Sequence, residues 1–253
     1  MKKLSCAALL IFGISLGTVY SQEKQALSDD QVKEQLSFIE NALYSAQPRA
    51  KTWWYGWISG YSAGAVAMGS LAAAHWNDKK LDPLTQSKVS DRGFAEDMLV
   101  GGASFALGVG GLVISPFVPA NGPNRLRTML EGTSEERRLK LQKAEELLRE
   151  CAGRERDGRG WLTHLLNLGA NAAAALVTVL AFDRPWSDGL FTFATGEAVS
   201  LLNIYTQPRR AISDLNDYEI RYLRKQGAYL KPPGEQSLYI GLYPGGFSLG
   251  VRF

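Results

Sequence analysis

Two kinds of apolar pattern alternate along this chain. From Ser28 onward, Val32, Leu36, Ile39 and Leu43 recur at helical spacing among polar residues, which predicts one amphipathic helix ending before Pro48. Ser28 supplies a capping side chain, and Asp29 and Asp30 suit the positive end of the helix dipole. Residues 53–76 follow, with no Asp, Glu, Lys or Arg. Gly56, Gly60 and Gly64 fall every fourth residue there, so on a helix they share one face and admit the close approach of another backbone. The polar stretch 77–92, which contains Pro83, reads as a loop. A second glycine-rich apolar segment, 98–118, is broken at Pro116 and Pro119 and completes a helical hairpin.

The same order of patterns then recurs. Thr133 and Glu136 form a capping box that opens a charged helix with Leu141, Ala144, Leu148 and Cys151 along its stripe. A basic turn with Arg154, Arg156 and Arg159 leads into an apolar helix over 161–182, and a second apolar helix over 190–205 ends before Pro208. A last amphipathic helix is predicted near 211–225. The period then changes to two: Leu238, Ile240 and Leu242 alternate, Pro244, Gly245 and Gly246 can turn, and Phe247, Leu249, Val251 and Phe253 alternate again, which predicts a β-hairpin. The expected fold is mainly α, a helical bundle of two related helical hairpins with flanking amphipathic helices, plus the C-terminal β-hairpin. The units run 22–124, 125–230 and 231–253.

Ahead of them, residues 1–21 carry Lys2 and Lys3, an apolar core and small residues before a cut, the pattern of a signal peptide with Gln22 as the mature start. Cys6 then leaves with the leader, so Cys151 has no intramolecular partner and is expected to be a buried small hydrophobe. A content of 45% hydrophobic and 21% charged residues excludes global disorder, and a net charge of +3, two of it in the leader, argues against nucleic acid as a partner. The final strand ends in Phe253 and resembles the closing strand of outer-membrane β-barrel proteins over about seven residues. With no further strands to close a barrel, it must pack on the helices or pair with another chain.

Two environments suit the four apolar helices. Their length, glycine spacing and charge-free runs fit a bilayer. Against it, Arg49, Lys51, Arg125, Arg127, Arg154, Arg156, Arg159, Arg209 and Arg210 would lie on the exported side, the reverse of the positive-inside bias, and a soluble bundle enclosed by the amphipathic helices is the other reading. Polar candidates within the apolar helices are His164, Asn167 and Asn171 on one face, with Glu197 and Asn203 on the following helix. A histidine with an acidic partner can do acid–base work, but interhelical hydrogen bonding is the simpler use of such a stripe. No catalytic motif, metal cluster or cofactor motif is present in the sequence, and no cofactor or metal is expected. The expectation is a non-enzymatic, exported, membrane-associated protein of the cell envelope. Its role would be structural or in assembly, through close helix packing, with membrane lipid, an envelope complex or further copies of itself as partners. The alternative is a small-molecule or lipid-binding helical bundle, extending to a membrane-embedded enzyme that uses His164 and Glu197.

Overall fold

The structure, a computed structural model, describes residues 27–223 and the backbone of two strands, Ser237–Tyr243 and Gly246–Arg252. The leader over 1–21 and the terminal Phe253 lie outside the described residues. The chain is mainly helical, with small antiparallel two-stranded sheets.

Helix α1 runs from Asp29 to His75 without a break, 47 residues and about 70 Å. This corrects the predicted stop before Pro48. A proline inside a helix removes one backbone donor and crowds the preceding turn, but here both flanks are anchored by tertiary contacts. Gln47 Nε2 donates to Ala120 O and Asn124 Oδ1, both at 3.0 Å, and Ala50 is buried against Phe117 and Ala120. Those contacts hold the helical path through Pro48. The capping box at its start is formed by Ser28 and Gln31.

The stretch expected as a loop contains a short hairpin, β1 (Lys79–Leu81) against β2 (Lys88–Ser90). Its turn is organised by Asp82, whose Oδ1 accepts from the backbone N–H groups of Leu84 and Thr85 and whose carboxyl those bonds hold below the usual range. Helix α2 (Gly93–Ile114) then returns along α1. Short helices α3 (Val118–Asn121) and α4 (Asn124–Arg127) lead to α5 (Ser134–Asp157), which opens on the Thr133–Glu136 capping box. Helix α6 (Trp161–Leu176) widens into a π turn over Val177–Ala181 and is followed by α7 (Trp186–Thr206) and α8 (Arg210–Tyr218). At the C-terminus β3 (Ser237–Tyr243) pairs with β4 (Gly246–Arg252), matching Leu238 to Val251, Ile240 to Leu249 and Leu242 to Phe247.

One conventional core joins the first half of α1 to α5 and α8. It contains Val32, Leu36, Ile39, Leu43, Leu141, Ala144, Leu148, Cys151, Leu215 and Tyr218, so the amphipathic helices from both halves of the sequence share it. Its edge is closed by Arg137, which donates from Nε and Nη2 to the two carboxylate oxygens of Asp29 at 2.9 and 2.8 Å. Lys140 is buried between Glu40 and Glu131 at 2.8 and 2.7 Å. Cys151 is wholly buried, which pushes its thiol up to about 12. A thiol so protonated is a packing group rather than a nucleophile.

Candidate functional site

Beyond Ala50 the burial pattern inverts. In the second half of α1 the only buried residue is Ala72; in α2 they are Ala95, Val100 and Gly102; along α6 and its π turn they are Asn171, Thr178 and Val179. In α7 they are Gly189 and Ile204. The side chains turned inward are thus mostly small or polar, while the large apolar ones face outward: Val66 is 69% exposed, Leu107 70%, Leu180 71% and Phe191 74%. Two helices, Gly93–Ile114 and Trp161–Ala181, are long and apolar enough to cross a membrane, and 17% of the most apolar stretch of each is buried within the chain. An apolar helix of a soluble core would be mostly buried.

The α6–α7 seam carries the polar candidates. His164, Asn171 and Thr178 are spaced by seven on α6, and Gly189, Gly196 and Asn203 by seven on α7, the period of a helix–helix seam. The antiparallel register puts each polar side chain of α6 opposite a position on α7. The Asn171 side chain occupies the space where a Gly196 side chain would stand, and a Cβ at Gly189 would meet Val179 and, at 3.2 Å, the Ala175 carbonyl. Asn171 Nδ2 donates to Glu197 Oε1 at 2.8 Å and to Ser200 Oγ at 3.1 Å. Thr178 and Thr192 hydroxyls lie 3.4 Å apart one level further on. At the opposite end the His164 ring is 6.2 Å from that of Tyr205, and the half-buried Asn203 leaves its Nδ2 without a partner among the described residues. Asn171 and Glu197 are therefore brought together. Neither His164 nor Asn167 has a side-chain hydrogen bond to Glu197 among the described residues.

The glycine-faced helix also resolves into particulars. Gly64 receives the Phe105 ring at 3.0 Å from where its Cβ would be, Gly108 receives Tyr61, and Gly101 receives Met68, so α1 and α2 alternate a large side chain with a glycine across their seam. Gly102 comes closest to backbone, with Gly69 N at 3.3 Å and Ala65 O at 3.5 Å from a Cβ built there. Nothing among the described residues lies within 4 Å of a Cβ at Gly56 or Gly60. Gly101 and Gly108 are spaced by seven, as are Tyr61 and Met68 opposite them, but α2 also carries Gly102, Gly110 and Gly111, so spacing alone does not single out the glycines that meet a bulky residue. Gly189 and Gly196, also spaced by seven, were not singled out from the sequence.

Both ends of the apolar zone are polar. At one end Arg184, in the α6–α7 connection, pairs with Asp188 at 2.6 Å, Asp97 at 3.6 Å and Glu96 at 3.7 Å, which ties α7 to the start of α2 and raises the Arg184 side chain above its ordinary value through the Asp188 bond. At the other, Trp53 and Trp57 both donate from Nε1 to Thr206 Oγ1, at 3.1 and 3.2 Å, linking α1 to the end of α7. Exposed Trp161 and Tyr205 mark this end of the α6–α7 pair and exposed Trp186 the other, an aromatic residue at each boundary.

Among the described residues no three metal-ligating side chains cluster. No family model matches the chain, and no curated protein or solved structure matches it.

Proposed function

We propose that this is an exported, membrane-associated protein of the cell envelope whose apolar helices sit in lipid and whose role is structural or in assembly rather than catalytic. The observation that carries the reading is the inverted zone: polar Asn171, Glu197, Ser200 and Thr178 turn inward and leucines outward, the arrangement a lipid solvent favours. Helix α6 with its π turn spans 21 residues, about 30 Å, the thickness of a bilayer's hydrocarbon core. The two helical pairs, α1 with α2 and α6 with α7, are the repeated unit that the sequence pattern suggests, each reached from an amphipathic helix. A hydrogen bond such as that from Asn171 to Glu197 contributes about 1 kcal/mol to helix association in lipid, which suits a packing role. The unfilled faces at Gly56 and Gly60 are where further copies or an envelope complex would pack.

Alkaline carbonate extraction of separated inner and outer membranes tests the reading. The protein is expected to stay in one membrane pellet; full release into the soluble fraction would overturn it.

A further inference from the structure

We propose that the groove between the end of α5 and the start of α8 binds the phosphodiester of an anionic lipid headgroup, held by the guanidinium groups of Arg156 and Arg209. The groove has a volume of about 510 Å³ and is lined by these two arginines with Ile212, Ser213, Asn216 and Glu219. Both arginine side chains are exposed, and among the described residues neither forms an ion pair with a carboxylate. A guanidinium presents a planar fork of donors that matches a phosphate, so two arginines lining one groove can hold one anion between them.

The backbone that carries them is held by the chain behind it. Arg159 Nη2 donates to Tyr205 O at 2.9 Å and to Gln207 O at 2.7 Å, which clamps the segment carrying Arg209 against the end of α5. Pro208 is buried, and the Gln207 side chain fills the space left by Gly158. Arg156 comes five residues before α6 begins, and Arg209 three residues after α7 ends. The two arginines thus flank the inverted zone in the chain, close in sequence to exposed Trp161, Leu162 and Tyr205.

This placement selects the ligand, and it rests on the membrane reading above. Headgroup phosphates lie at the level where apolar helices leave the hydrocarbon, and basic side chains at that level attract anionic lipids. The neighbouring apolar surface would take the acyl chains, which a free anion lacks. Two guanidiniums and the Glu219 carboxylate leave one net positive charge in the groove, matched to the single charge of a phosphodiester rather than the near-double charge of a phosphate monoester. Asn216 adds a neutral amide donor at the rim.

The full chain in an uncharged detergent, titrated with short-chain phosphatidylglycerol, short-chain phosphatidylcholine and inorganic phosphate and read by native mass spectrometry, provides the test. Phosphatidylglycerol is expected to bind at least tenfold more tightly than phosphatidylcholine. The R156Q/R209Q double variant should lose at least that tenfold preference, within the roughly thirtyfold effect of removing two basic residues at the headgroup level, and R156K/R209K, which keeps both charges, should retain most of it. Equal binding of the two lipids, an unchanged preference in the glutamine variant, or inorganic phosphate binding as tightly as the lipid would each overturn the proposal. Carbonate extraction of R156Q/R209Q separates the two readings: a variant that stays in the pellet while losing the lipid preference supports both. Wild-type protein released by carbonate defeats the membrane reading whatever the titration shows.

Discussion

The two halves of α1 follow opposite rules. From Asp29 to Ala50 the helix buries Val32, Leu36, Ile39 and Leu43 and exposes its charges, as a helix does in water. From there to His75 it carries no charge from Trp53 onward and buries Ala72 alone, while Val66 and Leu71 face outward. One continuous helix thus passes from a water-adapted core into a zone whose outward surface is apolar, and the change falls near Pro48. What differs is the role of packing. In the first half apolar area removed from water supplies the stability; in the second, close approach of small residues and a few hydrogen bonds must do so, because the outer surface is never withdrawn from its surroundings.

The contrast is broken or upheld most sharply by matched leucine truncations. Leu148 is fully buried in the shared core, so Leu148→Ala should cost about 3 kcal/mol. Leu180 is 71% exposed, and Leu180→Ala should cost less than about 0.5 kcal/mol. Guanidinium unfolding in uncharged detergent, followed by circular dichroism, measures both. Equal costs would mean that Leu180 is packed within the protein, and the contrast between the two zones would collapse.

Legibility in the sequence divides along the same line. The water-adapted half was readable in detail: the stripes of α1 and α5 and the Thr133–Glu136 box follow from period and capping, because there the inward residues are the apolar ones, and the C-terminal strands follow from their period of two. Pro48 misled because the contacts that carry the helix through it, Gln47 with Ala120 and Asn124, come from residues more than seventy positions away. In the apolar zone every residue looks buried, so hydropathy marks the helices but cannot say which face turns inward. The polar stripe with Asn171 and Glu197 could be proposed as a seam from spacing. The glycine contacts of α2 could not, because several glycines lie on α2 and nothing local says that Gly101 and Gly108 are the ones that meet Met68 and Tyr61.

At the junction of the two zones, pH offers a second way to sharpen the comparison. Glu155 is buried at the end of α5, where it accepts from the backbone N–H of Ile212 at 3.1 Å and so caps the start of α8, which has no side-chain cap of its own. Burial raises its carboxyl to about 7, against the pull of the Ile212 and Ala211 N–H groups; Asp214 nearby adds to the rise and Arg159 opposes it. The folded protein therefore prefers the protonated acid. The corresponding stabilisation is complete below about 4.5, the unfolded value, and is lost as pH rises through about 7, a change of about 3 kcal/mol at most. Unfolding at pH 5 and at pH 8 should show it for this group, and Glu155→Gln should flatten that difference. A variant with the wild-type pH profile would remove Glu155 from the account.

The smallest effect is the most informative about what lies outside the chain. Gly102→Leu should disrupt the α1–α2 pair, since the new side chain meets the backbone of Gly69 and Ala65 in a buried seam, at a cost of about 2 kcal/mol or more. Gly60→Leu has open space within 4 Å among the described residues, so its effect on unfolding should stay within about 0.5 kcal/mol. Any larger consequence must come from another molecule. Comparing the two variants by unfolding and by cross-linking in intact membranes separates the cases. If Gly60→Leu unfolds normally yet alters the cross-linked species, the Gly56–Gly60 face packs against a second copy or another protein. If it alters neither, no partner packs on that face, and association would have to use other surfaces.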